Sequence, residues 1–80
     1  MRIVEVLPQA VGWCVLGCGE PQYFRSGSWA ERAARRIAQA IADGGVPVEL
    51  RIADRSGRIA GRIRLGYCEA FAGLPQLEVA

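Results

Sequence analysis

The chain has 80 residues, of which 51% are apolar and 22% charged, and its formal net charge at pH 7 is +2. This size predicts one domain, and the balance of apolar and charged residues excludes a disordered chain. No apolar run approaches the roughly 20 residues that a transmembrane helix needs, and the N-terminal apolar segment is too short for a signal peptide. We therefore expect a cytoplasmic protein with no membrane partner.

Two strands are predicted at the start of the chain. The segment from Arg2 to Leu7 is rich in β-branched residues and is stopped by Pro8. A turn follows, and residues 13–16 form the second strand. Residues 23–24 could add a short edge segment before the helix.

The second strand is apolar on both faces. Because side chains alternate along a strand, Trp13 and Val15 are predicted to point to one side. The other side is predicted to carry Cys14, Leu16 and Cys18.

A capping-box pattern predicts where the helix begins. In Ser28-Trp29-Ala30-Glu31, the Ser28 hydroxyl can accept a hydrogen bond from the Glu31 amide, and the Glu31 carboxylate can reach back to the Ser28 amide. Glu31 and Arg35 also form a favourable i, i+4 pair. The helix is therefore predicted to begin at Ser28.

Alanine and isoleucine recur at helical spacing after this cap and form one apolar stripe, which predicts close packing of the helix on a sheet. The helix is predicted to run to Asp43. Gly44 or Gly45 then supplies the left-handed residue that ends it.

The segment from Val48 to Ala53 alternates between apolar and polar residues, as a strand with one buried face does. Residues 54–57 have the chemistry of a turn, with aspartate first and glycine last. A four-residue loop would make Glu49 face Arg62 across the hairpin as an opposite-charge pair.

The predicted element order is β-β-α-β-β. One helix covering one face of an antiparallel four-stranded sheet makes a two-layer α+β domain over residues 1–66. Residues 67–80 have no clear period, and we expect a C-terminal tail that either packs on the domain or is bound by a partner.

The chain contains four short motifs: Val6-Leu7-Pro8, Trp13-Cys14-Val15, an alanine-rich helix, and the segment from Ile52 to Ile59. Together they resemble a family of short bacterial domains of unknown function, which reads approximately V-x-P, W-x-V, an alanine-rich helix and I-x-D-x-x-G-R-I. The resemblance covers about residues 4–66. These motifs are structural, so the resemblance implies a fold and no particular activity or ligand.

Catalytic and metal-binding chemistry is not expected. The chain has no histidine, so a Ser-His or Cys-His nucleophile cannot be built within one copy. Its three cysteines are Cys14, Cys18 and Cys68. Their spacing is not that of a usual zinc site, and their odd number favours free thiols over disulfides. We expect a protein that is not an enzyme, with no metal and no cofactor.

A protein-interaction or self-assembly module is the function that the pattern favours. One helix can cover only one face of the sheet, and the other face would leave Cys14, Leu16 and Cys18 open. A contiguous exposed apolar patch usually marks an interface. The expected partner is the protein itself or another protein, unless the tail covers this face.

Nucleic-acid binding is the alternative function. The solvent face of the last hairpin is predicted to carry Arg51, Arg58, Arg62 and Arg64. Such clusters bind phosphates. The alternative is less favoured because Glu49 lies on the same face and no exposed aromatic residue is interleaved to stack on bases.

Overall fold

The computed structural model describes residues 1–66, which form one sheet and one helix. In chain order the elements are β1 (Arg2–Pro8), β2 (Trp13–Leu16), β3 (Gln22–Phe24), α1 (Gly27–Asp43), β4 (Val48–Ala53) and β5 (Ile59–Leu65). The order within the sheet is β3-β2-β1-β4-β5. The α+β class is confirmed, while the predicted tail at residues 67–80 lies outside the described residues.

The sheet is five-stranded and mixed, so the predicted antiparallel four-stranded sheet is wrong. β3 is a true strand, in which Phe24 pairs with Trp13 and Tyr23 pairs with Cys14. It reverses the chain once more before the helix, and β4 therefore pairs with β1 in parallel. Parallel neighbours need a long crossover connection, which α1 supplies.

The core lies between α1 and the sheet. Its members from the strands are fully or almost fully buried: Val4, Val6, Val15, Val48 and Leu50. The helix contributes three alanines with no exposed surface: Ala30, Ala34 and Ala38. Burying each large aliphatic side chain is worth about 1.5–3 kcal/mol, and the short alanine side chains allow the helix to lie close to the sheet.

Trp13 connects three distant parts of the chain beside this core. A Cβ atom added at Gly27 would lie 3.0 Å from the indole ring, so the ring packs against the start of α1. On the ring lies the guanidinium group of Arg55, 5.3 Å from the ring centroid. Arg55 also donates to the carbonyl of Gly12 at 2.9 Å, which ties the β4–β5 loop to the β1–β2 turn.

The helix begins earlier than predicted. Ser26 is the N-cap, with an extended backbone, and its hydroxyl accepts from the Trp29 amide at 3.1 Å. Ser28 lies inside the first turn, and the Glu31 carboxylate accepts from Arg35 at 2.7 Å. The predicted capping box is therefore wrong, and the predicted i, i+4 pair is confirmed.

Replacing Ser26 with alanine should lower the free energy of unfolding by about 0.5–2 kcal/mol, because the Trp29 amide loses its acceptor. Ser28→Ala is the matched control. Within residues 1–66, the only hydrogen bond of the Ser28 hydroxyl is a long one, 3.5 Å, to the Ser26 hydroxyl. Denaturant titrations would measure both. A greater loss for Ser28→Ala than for Ser26→Ala would contradict the assignment of the cap.

The other end of α1 is closed by a Schellman motif. Gly45 has φ +92°, as predicted for one of the two glycines. Its amide donates to the carbonyl of Ala42 at 2.9 Å, and the amide of Val46 donates to that of Ile41 at 3.3 Å. The helix has 17 residues. Within residues 1–66, no helix is long and apolar enough to cross a membrane.

The β4–β5 hairpin forms as predicted but with a longer loop. The Asp54 amide donates to the carbonyl of Arg58 at 2.7 Å, which closes a loop over residues 54–58. The pairing then shifts register between Ile52 and Ala53. A β-bulge of this kind inserts one unpaired residue into one strand.

The bulge and the longer loop move the pairing by two residues. Glu49 faces Arg64 instead of the predicted Arg62, and Arg51 faces Arg62. Because side chains alternate with a period of two, this shift leaves residues 48–52 and 61–65 on their predicted faces. Beyond the bulge, Ala53 pairs with Ile59, which is a shift of one residue.

Candidate functional site

The sheet face opposite α1, here called the open face, carries the side chains that alternate with the core residues. The strand registers place Leu7, Cys14 and Tyr23 in one cross-strand row. Leu16 lies opposite Glu5 in a neighbouring row of the same face. The half of the open face on β1, β2 and β3 is therefore mainly apolar.

Burial varies across this apolar half. The side chain of Tyr23 is 71% exposed, whereas Leu7 and Leu16 are half-buried. Cys14 is buried, and burial, with a smaller effect of Cys18, raises the pKa of its thiol. A thiol with a raised pKa stays protonated and is a poor nucleophile. Cys14 and Cys18 are both free.

The three predicted interface residues do not all lie together. Cys14 and Leu16 share the open face, but Cys18 packs against the core between α1 and the sheet. The strand ends at Leu16, and Gly17 has φ +101°. This turn of the backbone interrupts the alternation that had predicted Cys18 on the open face.

The half of the open face on β4 and β5 is charged. Glu49 is only 2% exposed, and one of its carboxylate oxygens accepts from Arg51 Nε at 2.5 Å. The other oxygen accepts from Arg64 Nε at 3.3 Å. Two arginines thus bracket one nearly buried carboxylate, as a buried charge requires.

The four predicted nucleic-acid-binding arginines lie in different settings. Arg51 and Arg64 bind Glu49, and Arg62 is exposed opposite Arg51. Arg58 lies in the loop, where its amide donates to the Asp54 carboxylate at 3.1 Å. The register therefore places Arg51, Arg62 and Arg64 on the open face and Arg58 in the loop beside it. Nucleic-acid binding by this hairpin stays a prediction.

Glu49 should make stability depend on pH in acid. The hydrogen bond from Arg51 lowers the pKa of Glu49 from its ordinary value of 4.5; burial opposes this, and the charges of Arg51 and Arg64 add to it. A carboxyl group whose pKa is lower in the folded state stabilises the fold above its unfolded pKa, and that contribution is lost as the pH falls through the folded pKa.

We therefore expect the melting temperature of the wild-type chain to fall as the pH drops below about 4.5. Glu49→Gln should melt lower than wild type at pH 7 and show a shallower decline in acid, because the titrating group is gone. Thermal melts from pH 7 to pH 2 would measure both slopes. Parallel curves for the two proteins would contradict this role of Glu49.

An exposed aromatic residue, not predicted as a site residue, lies on the outer side of α1. Trp29 is 60% exposed, and the guanidinium group of Arg32 lies 5.2 Å from its ring centroid. A shallow depression of about 430 Å³ beside the ring is lined by Ser28, Trp29, Glu31, Arg32 and Arg35. The signal was present in the sequence, since Trp29 falls outside the alanine stripe that faces the core.

Comparison of the chain with protein-family models, with curated proteins and with solved structures finds no match. Within residues 1–66, no three side chains of the metal-binding types come together. The resemblance to short bacterial domains of unknown function stays a prediction.

Proposed function

We propose that this domain is a non-catalytic self-assembly module that binds a second copy of itself through the open face. The observation that carries the proposal is Tyr23, a large aromatic side chain that is 71% exposed at the end of an apolar row. Aromatic residues are enriched in the buried centres of protein interfaces and among the residues that dominate binding energy.

The division of the open face favours a second copy as the partner. A two-fold interface brings the same patch of both copies together. An axis through the β1–β3 half would pack the row of Leu7, Cys14 and Tyr23 against its equivalent. The exposed Arg62 of each copy would then lie toward opposite ends of the dimer, where like charges stay apart.

Sedimentation equilibrium of the full chain over a range of concentrations tests the proposal. The wild-type chain should dimerise, and Tyr23→Glu should weaken dimerisation at least tenfold, because a charge would be buried at the interface. Leu16→Glu should act in the same direction. Val11→Glu is the matched control, since Val11 is 89% exposed in the turn before β2 and away from the apolar row.

Circular dichroism of each variant would show that the fold is retained. A wild-type chain that stays monomeric at millimolar concentration would contradict self-assembly. So would a dimer that Val11→Glu weakens as much as Tyr23→Glu does.

A further inference from the structure

We infer that the outer face of α1 binds single-stranded nucleic acid, with a base stacked on Trp29 and phosphates contacted by Arg32 and Arg36. This surface lies in the helix layer, on the other side of the molecule from the open face. The inference therefore does not rest on the proposed self-assembly.

Trp29 is the first observation behind this inference. Its backbone amide is used by the helix cap, but its indole ring belongs to no part of the core and is 60% exposed. Exposed aromatic rings beside cationic groups are the platforms on which single-stranded bases stack, whatever the base. The Arg32 guanidinium group, 5.2 Å from the ring centroid, supplies such a neighbour.

The charge of this region is the second observation. Residues 25–36 contain four arginines and a single acid, Glu31. Glu31 is already held by Arg35 at 2.7 Å, while Arg25 and Arg36 are exposed. The first turn of α1 carries no acidic residue, although an acid there would stabilise the helix. The N-terminal end of α1 therefore keeps a positive potential, which would attract an anionic partner.

The spacing of the residues is the third observation. Trp29, Arg32 and Arg36 are related by i, i+3 and i+7, so they lie along one line on the helix surface. At about 1.5 Å per residue, Trp29 and Arg36 are separated by about 10 Å along the axis. A flexible strand can place a base on the ring and phosphates on both arginines at this distance.

A single strand fits this surface better than a duplex does. The faces of bases in a duplex are covered by their neighbours, whereas unstacked bases are free to lie on an aromatic side chain. The β4–β5 hairpin offers no such ring, and Glu49 occupies two of its arginines. On α1, by contrast, the exposed Trp29 ring lies near Arg32 and Arg36, neither of which is paired with Glu31.

Fluorescence anisotropy of a labelled 15-nucleotide oligo(dT) tests the inference on the full chain at low salt. We expect binding that weakens with salt, with a log–log slope of about −0.7 for each phosphate contacted. Trp29→Ala should weaken binding at least tenfold, and Trp29→Phe should recover part of the loss. Arg36→Glu should also weaken it at least tenfold, and Arg62→Glu on the hairpin should leave it unchanged.

Two competitors separate stacking from charge. Inorganic polyphosphate should displace the oligonucleotide from the wild-type protein but bind Trp29→Ala as well as wild type, because it has no base to stack. A duplex of the same length should bind more weakly than the single strand. Circular dichroism would show that the variants are folded.

The inference would be overturned by the absence of any oligonucleotide binding at 50 μM protein and low salt. It would also be overturned if Trp29→Ala bound oligo(dT) as well as wild type, or if the duplex bound as tightly as the single strand. A loss on Arg62→Glu that exceeded the loss on Arg36→Glu would place the nucleic acid on the hairpin instead.

Discussion

Replacing Trp13 with alanine should lower the free energy of unfolding by about 3–5 kcal/mol, the usual cost of removing a packed aromatic side chain. The ring is in contact with the start of α1 at Gly27 and lies under the guanidinium group of Arg55. Without it, the helix and the β4–β5 loop lose their shared contact with β2. The core beside the ring would keep a cavity, because the surrounding backbone is fixed in the sheet.

The second tryptophan provides the control for this experiment. Trp29 is 60% exposed, so Trp29→Ala should change the free energy of unfolding by no more than about 0.5 kcal/mol. Denaturant titrations of both variants would measure the difference. Similar losses of unfolding free energy for the two variants would show that Trp13 is not a core residue. A large loss for Trp29→Ala would mean that this variant is unsuitable for the oligonucleotide-binding experiment.

Gly17→Ala should be the second severe substitution. An unfavourable backbone conformation by itself costs about 1–3 kcal/mol, and we expect the free energy of unfolding to fall by more than this. Gly17 has φ +101°, and a Cβ atom there would overlap the carbonyl oxygen of Ile3. Ile3 belongs to β1, which is held between β2 and β4. The strand therefore cannot move away without breaking pairs on both sides.

Gly19→Ala separates the two causes of that loss. Gly19 has a similar φ of +97°, but a Cβ atom there would meet nothing within 4 Å. Gly19→Ala should therefore lower the free energy of unfolding through backbone strain alone. The difference in unfolding free energy between the two variants measures the clash with Ile3, and equal values would mean that the clash is relieved by a small backbone shift.

The local elements were predictable because each is specified by neighbouring residues. Alternation gave β4, helical spacing gave the alanine stripe, and a glycine with positive φ ended the helix at Gly45. The third strand was indicated only as a short edge segment at residues 23–24, because Gln22–Phe24 has three residues and is recognised by its pairing with β2. The direction of β4 relative to β1 depends on that strand.

The start of the helix shows tertiary structure deciding between two local choices. Ser28 has the glutamate three residues later that a capping box needs, yet Ser26 is the cap. Beginning at Ser26 brings Gly27 into the first turn, where its lack of a side chain leaves room for the Trp13 ring. Residues 13 and 27 have no relation that a local pattern could detect.

The candidate surfaces were predicted in part for similar reasons. The faces of residues 48–52 and 61–65 were correct because a two-residue shift preserves alternation, but the partner of Glu49 depended on the length of the loop and on the bulge. Cys18 was misplaced because the strand ends before it. The exposure of Trp29 could have been predicted, because the residue lies outside the alanine stripe that packs on the sheet.

The parallel pair at the centre of the sheet constrains the order in which the chain can fold. Each pair from Arg2–Val48 to Val6–Ile52 joins residues 46 positions apart, whereas the three antiparallel hairpins close short loops. Bringing distant segments together costs more chain entropy and slows folding. On the ribosome, β1 is made well before β4. The edge of β1 that faces away from β2 therefore stays unpaired until residues 48–53 have been synthesised.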